Sequence, residues 1–108
     1  MNEQVAIIIP SYNEGEQLRK TIEGLLQSPV TAGCMLVVID DCSALPASEY
    51  LKGLPVSILR HSQNLGQGAA LRTGMDYALL KGFEYFVHFD ADGQQIAAPI
   101  AGEANFAA

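Results

Sequence analysis

Apolar residues gather along this chain in four short runs: "QVAIII" (residues 4–9), "MLVVID" (35–40), "VSILR" (56–60) and "YFVHFD" (85–90). Each is rich in β-branched or aromatic side chains, which suit a pleated, extended backbone. The first two are continuously apolar, as strands covered on both faces are. Between them the period changes. Leu18, Ile22, Leu25 and Leu26 recur at i, i+4, i+7 and i+8, which predicts a helix with one apolar face. Asn13, followed three residues later by Glu16, has the form of a capping box at its start. Leu71, Met75, Ala78 and Leu79 repeat the spacing before the fourth run, and Gly82 is a natural stop. "PASEYLKG" (46–53) predicts a shorter helical stretch.

The order is therefore β-α-β-α-β-α-β, which implies a parallel sheet with right-handed crossovers and helices on its faces. Ligands of such sheets bind beyond the carboxyl ends of the strands. The polar clusters of this chain fall at those ends. Run one leads into Pro10, Ser11, Tyr12, Asn13 and Glu14; run two into Asp40, Asp41, Cys42 and Ser43; run four into Asp90, Ala91, Asp92, Gly93 and Gln94. Carboxylates gathered on one edge raise each other's pKa unless a cation or a donor compensates. Oxygen ligands suit Mg²⁺ or Mn²⁺, which bridge carboxylates to phosphates. Asp90 and Asp92, one residue apart, are the candidate metal ligands.

Charge and composition narrow the choice. The net charge is −6, and no basic stripe exists to displace counterions from nucleic-acid phosphate. An anionic ligand would therefore need a divalent cation between it and the carboxylates. No apolar run approaches the roughly 18 residues of a membrane span. The opening "MNEQVAIIIP" lacks a basic n-region and reads as a strand, so a cytoplasmic protein is expected. Cys34 and Cys42 flank run two, whose rise of about 3.3 Å per residue holds them beyond disulfide reach. Reduced, buried, structural cysteines are expected. One domain is expected over residues 1–94, with an irregular Ala-rich tail over 95–108.

The pieces "IIIPSYNEGEQL", "VVIDDCS", "NLGQGAALRTGMDYA" and "FDADGQ" resemble, in order and spacing, the nucleotide-binding part of a family 2 glycosyltransferase of the GT-A type, the group that contains dolichol-phosphate-mannose-synthase-like enzymes. The resemblance implies a Rossmann-like three-layer α/β sandwich that is a truncated GT-A fold. It implies transfer of a sugar, with inversion, from a UDP- or GDP-linked donor to an acceptor such as a polyprenyl phosphate lipid or a growing polysaccharide. It places Pro10, Tyr12 and Glu14 at the nucleotide, with the Tyr12 ring against the base. Asp41 would accept a hydrogen bond from the base N–H, and Asp40 would support the loop. Asp90 and Asp92, with Ala91 between and Gln94 beside them, would touch the ribose and, through Mn²⁺ or Mg²⁺, the diphosphate. A complete member could act at the inner face of a membrane.

Other residues carry plainer expectations. Gly66 and Gly68 follow a strand and open a helix, but Leu71 stands where the third glycine of a dinucleotide fingerprint belongs. Asn64 and these glycines are read as shaping a turn and allowing close helix–sheet packing. Arg72 is read as an exposed helical arginine, His88 as a core residue and His61 as a loop residue. Cys42 and "SALP" depart from the family's pattern without touching the carboxylates. Members of the family also continue well past the Asp-x-Asp, where acceptor site and catalytic base lie, so this chain is expected to bind donor without turning it over. The edge of the fourth strand would then be bare, inviting self-association or a cover from the tail. A receiver-type signalling domain is the alternative, on the strength of "VVIDD", although that acidic pair belongs at a first strand. A non-catalytic nucleotide-binding module is a further one.

Overall fold

The structure, a computed structural model, describes residues 5–91 and 98–99. β1 (Val5–Ser11), β2 (Met35–Asp40), β3 (Ser57–Arg60) and β4 (Tyr85–His88) alternate with α1 (Glu16–Gln27), α2 (Ala47–Tyr50) and α3 (Gln67–Leu80). A two-residue strand, β5 (Ala98–Pro99), follows. The sheet order is β3-β2-β1-β4-β5, parallel throughout except for the antiparallel β4–β5 pair. The chain thus builds outward from β1 to β3, then returns across the sheet to lay β4 on the other side of β1. Right-handed crossovers require such a reversal to change the face that the connecting helix covers. The two cores show that it does. Ile7, Ile9, Leu36 and Val38 pack under α1 and α2, whereas Ala6, Ile8, Val37 and Ile39 pack under α3. The gap between the carboxyl ends of β1 and β4 is the switch point of this doubly wound sheet, the place where such sheets bind ligands.

α1 buries Leu18, Ile22 and Leu25 as its period predicts, while Leu26 turns toward solvent. Its start differs from expectation. Gly15, not Asn13, occupies the cap position, and no side chain caps the helix. α2 is a single turn, shorter than "PASEYLKG" predicts, and begins where an Asp40 carboxylate oxygen accepts the Ala47 N–H.

α3 differs more. Its buried stripe is Ala70, Gly74 and Ala78, while Leu71 and Met75 only flank it and Leu79 is exposed. The helix lies so close to the sheet that small residues alone fit. A Cβ built on Gly74 would stand 2.7 Å from Ile39 Cδ1 and closer still to Ile8. The close packing expected at Gly66 and Gly68 lies at Gly74 instead: Gly68 faces open space and Gly66 serves the turn, with φ of 99°. Gly82 ends the helix as expected: its N–H bonds Leu79 O and the Phe83 N–H bonds Ala78 O, a Schellman arrangement. Within the 95–108 stretch read as irregular, β5 pairs with Val87 and His88 and so covers part of the β4 edge.

Cys34 and Cys42 are free, as expected, but each is only partly buried. Burial still pushes the Cys34 thiol up from its ordinary value. Cys42 adopts φ of 71°, a left-handed conformation that favours glycine.

Candidate functional site

The loops after β1 and β2 are stapled together by Asn13. Its backbone has φ of 54°, its N–H donates to Ser43 Oγ at 2.8 Å, and its Oδ1 accepts the Ala44 N–H at 2.8 Å. Short polar side chains tolerate this conformation because they bond locally. Asn13 therefore fixes the turn that carries Tyr12 and Glu14, and that use of its side chain excludes the capping role its spacing predicts.

Asp40 lies behind this turn, 1% exposed. Oδ1 accepts the Ser43 N–H at 2.9 Å; Oδ2 accepts the Ala47 N–H at 2.8 Å and the Arg60 guanidinium at 2.7 Å. Arg60 also reaches Ser43 O at 3.1 Å. Asp40 thus ties Ser43, Ala47 and Arg60 together, and the "SALP" segment does touch a carboxylate through Ser43. Burial alone would raise the Asp40 pKa. Donors from Ala47, Ser43 and Arg60 outweigh it and hold the carboxyl below the usual range.

Asp41 is held from the other side. Oδ1 accepts His61 Nδ1 at 2.7 Å and the Leu65 N–H at 2.9 Å, and Oδ2 accepts the Gly66 N–H at 2.8 Å. Burial again opposes ionisation, and the Leu65, His61 and Gly66 donors prevail, so this pKa too is lowered. A carboxylate offers about four lone pairs, so one on Oδ2 stays available to a ligand. The glycine at 66 combines a positive φ, which lets the chain turn into α3, with an N–H that bonds Asp41.

Both folded-state pKa values lie below the unfolded value of about 3.9. The stability these carboxylates contribute is therefore complete above that value and is lost as pH falls through the folded values. We expect the melting temperature to hold steady down to about pH 5 and to drop steeply below about pH 4. Asp41→Asn should make the drop shallower. A melting temperature unchanged by acid in the wild type would contradict this.

A cavity of about 100 Å³ opens at the switch point. Pro10, Ser11, Tyr12 and Glu14 line it from the β1 end, Asp41 from β2, Asp90 from β4, and Gln67 and Ala70 from the first turn of α3. Five candidate residues, Pro10, Tyr12, Glu14, Asp41 and Asp90, thus meet around one space. Asp40 stands behind them. Ala91 is fully buried beside the α1 core, its carbonyl accepting the Thr21 hydroxyl at 3.0 Å. Asp92 and Gln94 lie outside the described residues.

Sequence reading missed Ser11, Gln67 and Ala70 as lining residues, and His61 and Arg60 as partners of the two aspartates. The crossover reversal was the available signal for Gln67, since it brings the start of α3 to the switch point. His88, expected in the core, is half-buried, and its Nε2 accepts from the Gln67 amide at 3.1 Å. Arg72 is exposed as expected and pairs loosely with Asp76.

Among the described residues no group of three or more His, Cys, Asp or Glu side chains is arranged to hold a metal. The donor set still fits a hard cation. Asp90 is a carboxylate at the cavity wall, and Mg²⁺ or Mn²⁺ is commonly held by one or two carboxylates, with substrate phosphates and water completing the shell. Asp41 fits that role poorly, since three protein donors already occupy it.

A doubly wound sheet with its cavity at the β1/β4 switch point is the fold of the nucleotide-binding part of GT-A glycosyltransferases, and solved structures agree. The chain superimposes on the mannosyltransferase PcManGT from Pyrobaculum calidifontis, in complex with GDP-Man and Mn²⁺, with a TM-score of 0.69 and 22% identity, covering 85% of this chain and 28% of that one. It superimposes on S. aureus TarS 1-349 in complex with UDP with a TM-score of 0.64 and 22% identity, over the same shares. In sequence it is 33% identical over 96 residues to the polyprenol monophosphomannose synthase of Mycolicibacterium smegmatis, covering 84% of this chain and 36% of that one. Residues 6–95 match the family described as Glycosyl transferase family 2. The chain belongs to that family, and it spans about a third of the length of the relatives it matches.

Proposed function

We propose that the switch-point cavity binds a nucleoside-diphosphate sugar and that the protein to which this sequence belongs transfers the sugar with inversion. The observation that carries the proposal is the convergence of Tyr12, Asp41 and Asp90 from three strand ends onto one cavity. Tyr12, half exposed at the cavity, offers a ring face to the base. The spare lone pair of Asp41 accepts a base N–H. Asp90, with Asp92 and Gln94, meets the ribose and the diphosphate; Pro10 and Glu14 shape the surrounding walls, and Ala91, buried in the core behind them, anchors Asp90 from the next position. Asp90 and Asp92 would hold Mn²⁺ or Mg²⁺, which when bound neutralises charge developing on the leaving diphosphate.

The acceptor we propose is a polyprenyl phosphate, in keeping with the name of the mycobacterial relative, with a polysaccharide end as the second choice. No helix of the described residues is long and apolar enough to cross a membrane, and we place the reaction in the cytoplasm, at the inner membrane face. The base that deprotonates the acceptor is assigned to the part of the relatives' length that this sequence does not span. The 108 residues alone then bind donor without turnover, and the outer edge of the sheet is where copies would associate.

Thermal-shift measurements with GDP-mannose, UDP-N-acetylglucosamine and other sugar nucleotides, with and without Mn²⁺, test the reading. At 100 times the Kd a ligand adds about 2.7 kcal/mol of stability. We expect a metal-dependent rise in melting temperature that Asp90→Ala and Asp92→Ala abolish. A rise that survives both substitutions removes the pair from the site, and sugar transfer by this chain alone would overturn the non-turnover reading.

A further inference from the structure

We propose that His61 is the positioning residue that aims Asp41 into the cavity and thereby sets affinity for the base of the nucleotide. This rests on the reading of the cavity as a nucleotide site. The His61 side chain is only 10% exposed and does not line the cavity, so it contacts no ligand there. Its ring instead spans two elements. Nδ1 donates to Asp41 Oδ1 at 2.7 Å, and Nε2 lies 2.8 Å from the Thr73 hydroxyl on α3. An ionised carboxylate only accepts, so the Nδ1 proton is fixed, and the Thr73 hydroxyl can donate to Nε2. The ring is thus clamped from both sides and cannot turn without breaking one of two partly buried bonds.

The consequence falls on Asp41. His61 and the Leu65 N–H fill Oδ1, while Oδ2 carries one protein donor, Gly66, and keeps a lone pair for a ligand in the cavity that Asp41 lines. Without the imidazole, Oδ1 would gain an empty acceptor site. The carboxylate could then rotate, and both oxygens would compete for Leu65 and Gly66. The donors that aim Asp41 come from the segment between β3 and α3, so this loop, though largely outside the cavity, fixes the group that reads the base.

Two isosteres separate the bonds. Asn at 61 can place an amide N–H near the Nδ1 position and keep the Asp41 bond; Gln reaches the Nε2 position and keeps only the Thr73 bond. Titration calorimetry with GDP, UDP and pyrophosphate, each with Mg²⁺, would be run on wild type, His61→Asn, His61→Gln and His61→Ala. We expect His61→Asn to bind the preferred nucleotide within about threefold of wild type. His61→Gln and His61→Ala should lose roughly tenfold, the scale of one hydrogen bond to a charged group. Pyrophosphate affinity should be alike in all four, because it lacks a base. Should His61→Gln fold poorly, His61→Asn against His61→Ala makes the same comparison. Equal nucleotide affinity in all four variants overturns the role of His61 while leaving the site intact. Equal losses for pyrophosphate and nucleotide make His61 merely structural. If wild type binds neither nucleotide, the nucleotide site itself is refuted.

Discussion

Asp40→Ala is expected to cost about 3 kcal/mol of unfolding free energy, measured as a fall in the urea midpoint at unchanged slope. The carboxylate is buried and accepts from Ser43, Ala47 and Arg60. Its loss leaves two backbone N–H groups without acceptors and takes the carboxylate from the Arg60 guanidinium, which keeps only the Ser43 carbonyl. Arg60 is about 40% exposed, so water recovers part of that charge's solvation and keeps the cost at the lower end for a broken buried pair. For a domain whose whole stability is on the order of 5–15 kcal/mol, this is a large fraction. Arg60→Ala should cost less, since Asp40 keeps both backbone donors. A loss below about 1 kcal/mol for Asp40→Ala would mean that the β2 loop does not depend on this carboxylate.

Gly74→Ala carries the second large effect, and two opposing terms decide its sign. Alanine favours a helix interior by up to about 1 kcal/mol over glycine. The added methyl, however, would press on Ile8 and Ile39 in a fully buried seam, and overpacking costs about 1–3 kcal/mol. Both isoleucines come from central strands with neighbours on each side, so neither can withdraw. We expect a net loss of about 1–2 kcal/mol. Gly68→Ala, in the same helix but facing open space, is the control and should be neutral or stabilising. Thermal melts of the two variants check the pair. A Gly74→Ala protein as stable as wild type would show that α3 can move off the sheet.

Where the sequence was legible, a single physical rule governed the residues. Continuous β-branched runs became the central strands, and α1 buries three of the four apolar positions its period predicts. The alternation of elements, with the crossover rule, put the carboxylates at one end of a parallel sheet. What stayed hidden depends on long-range contact. The buried stripe of α3 consists of Ala70, Gly74 and Ala78, which carry little hydrophobic signal, while the more apolar Leu79 lies outside. Asn13 offered a local cap, yet its partners Ser43 and Ala44 lie thirty residues on and won the side chain. His61 looked like a loop residue because nothing near it in sequence reveals Asp41 twenty positions earlier and Thr73 in the next helix. At the site, the strand-end rule pointed to the clusters after β1, β2 and β4, and the family resemblance picked out Pro10, Tyr12, Glu14, Asp41 and Asp90, which line one cavity.

The central claim is that the β1/β4 switch point holds a sugar nucleotide through Tyr12, Asp41 and Asp90. Amide correlation spectra of the protein titrated with GDP-mannose or a UDP sugar test it residue by residue. With Mg²⁺ present, shifts should concentrate on Ser11, Tyr12, Asp41, Gln67, Ala70 and Asp90, and replacing Mg²⁺ by Mn²⁺ should broaden the Asp90 amide among the first. Shifts centred elsewhere, or Mn²⁺ broadening that spares Asp90, would contradict the assignment of this cavity as the donor site.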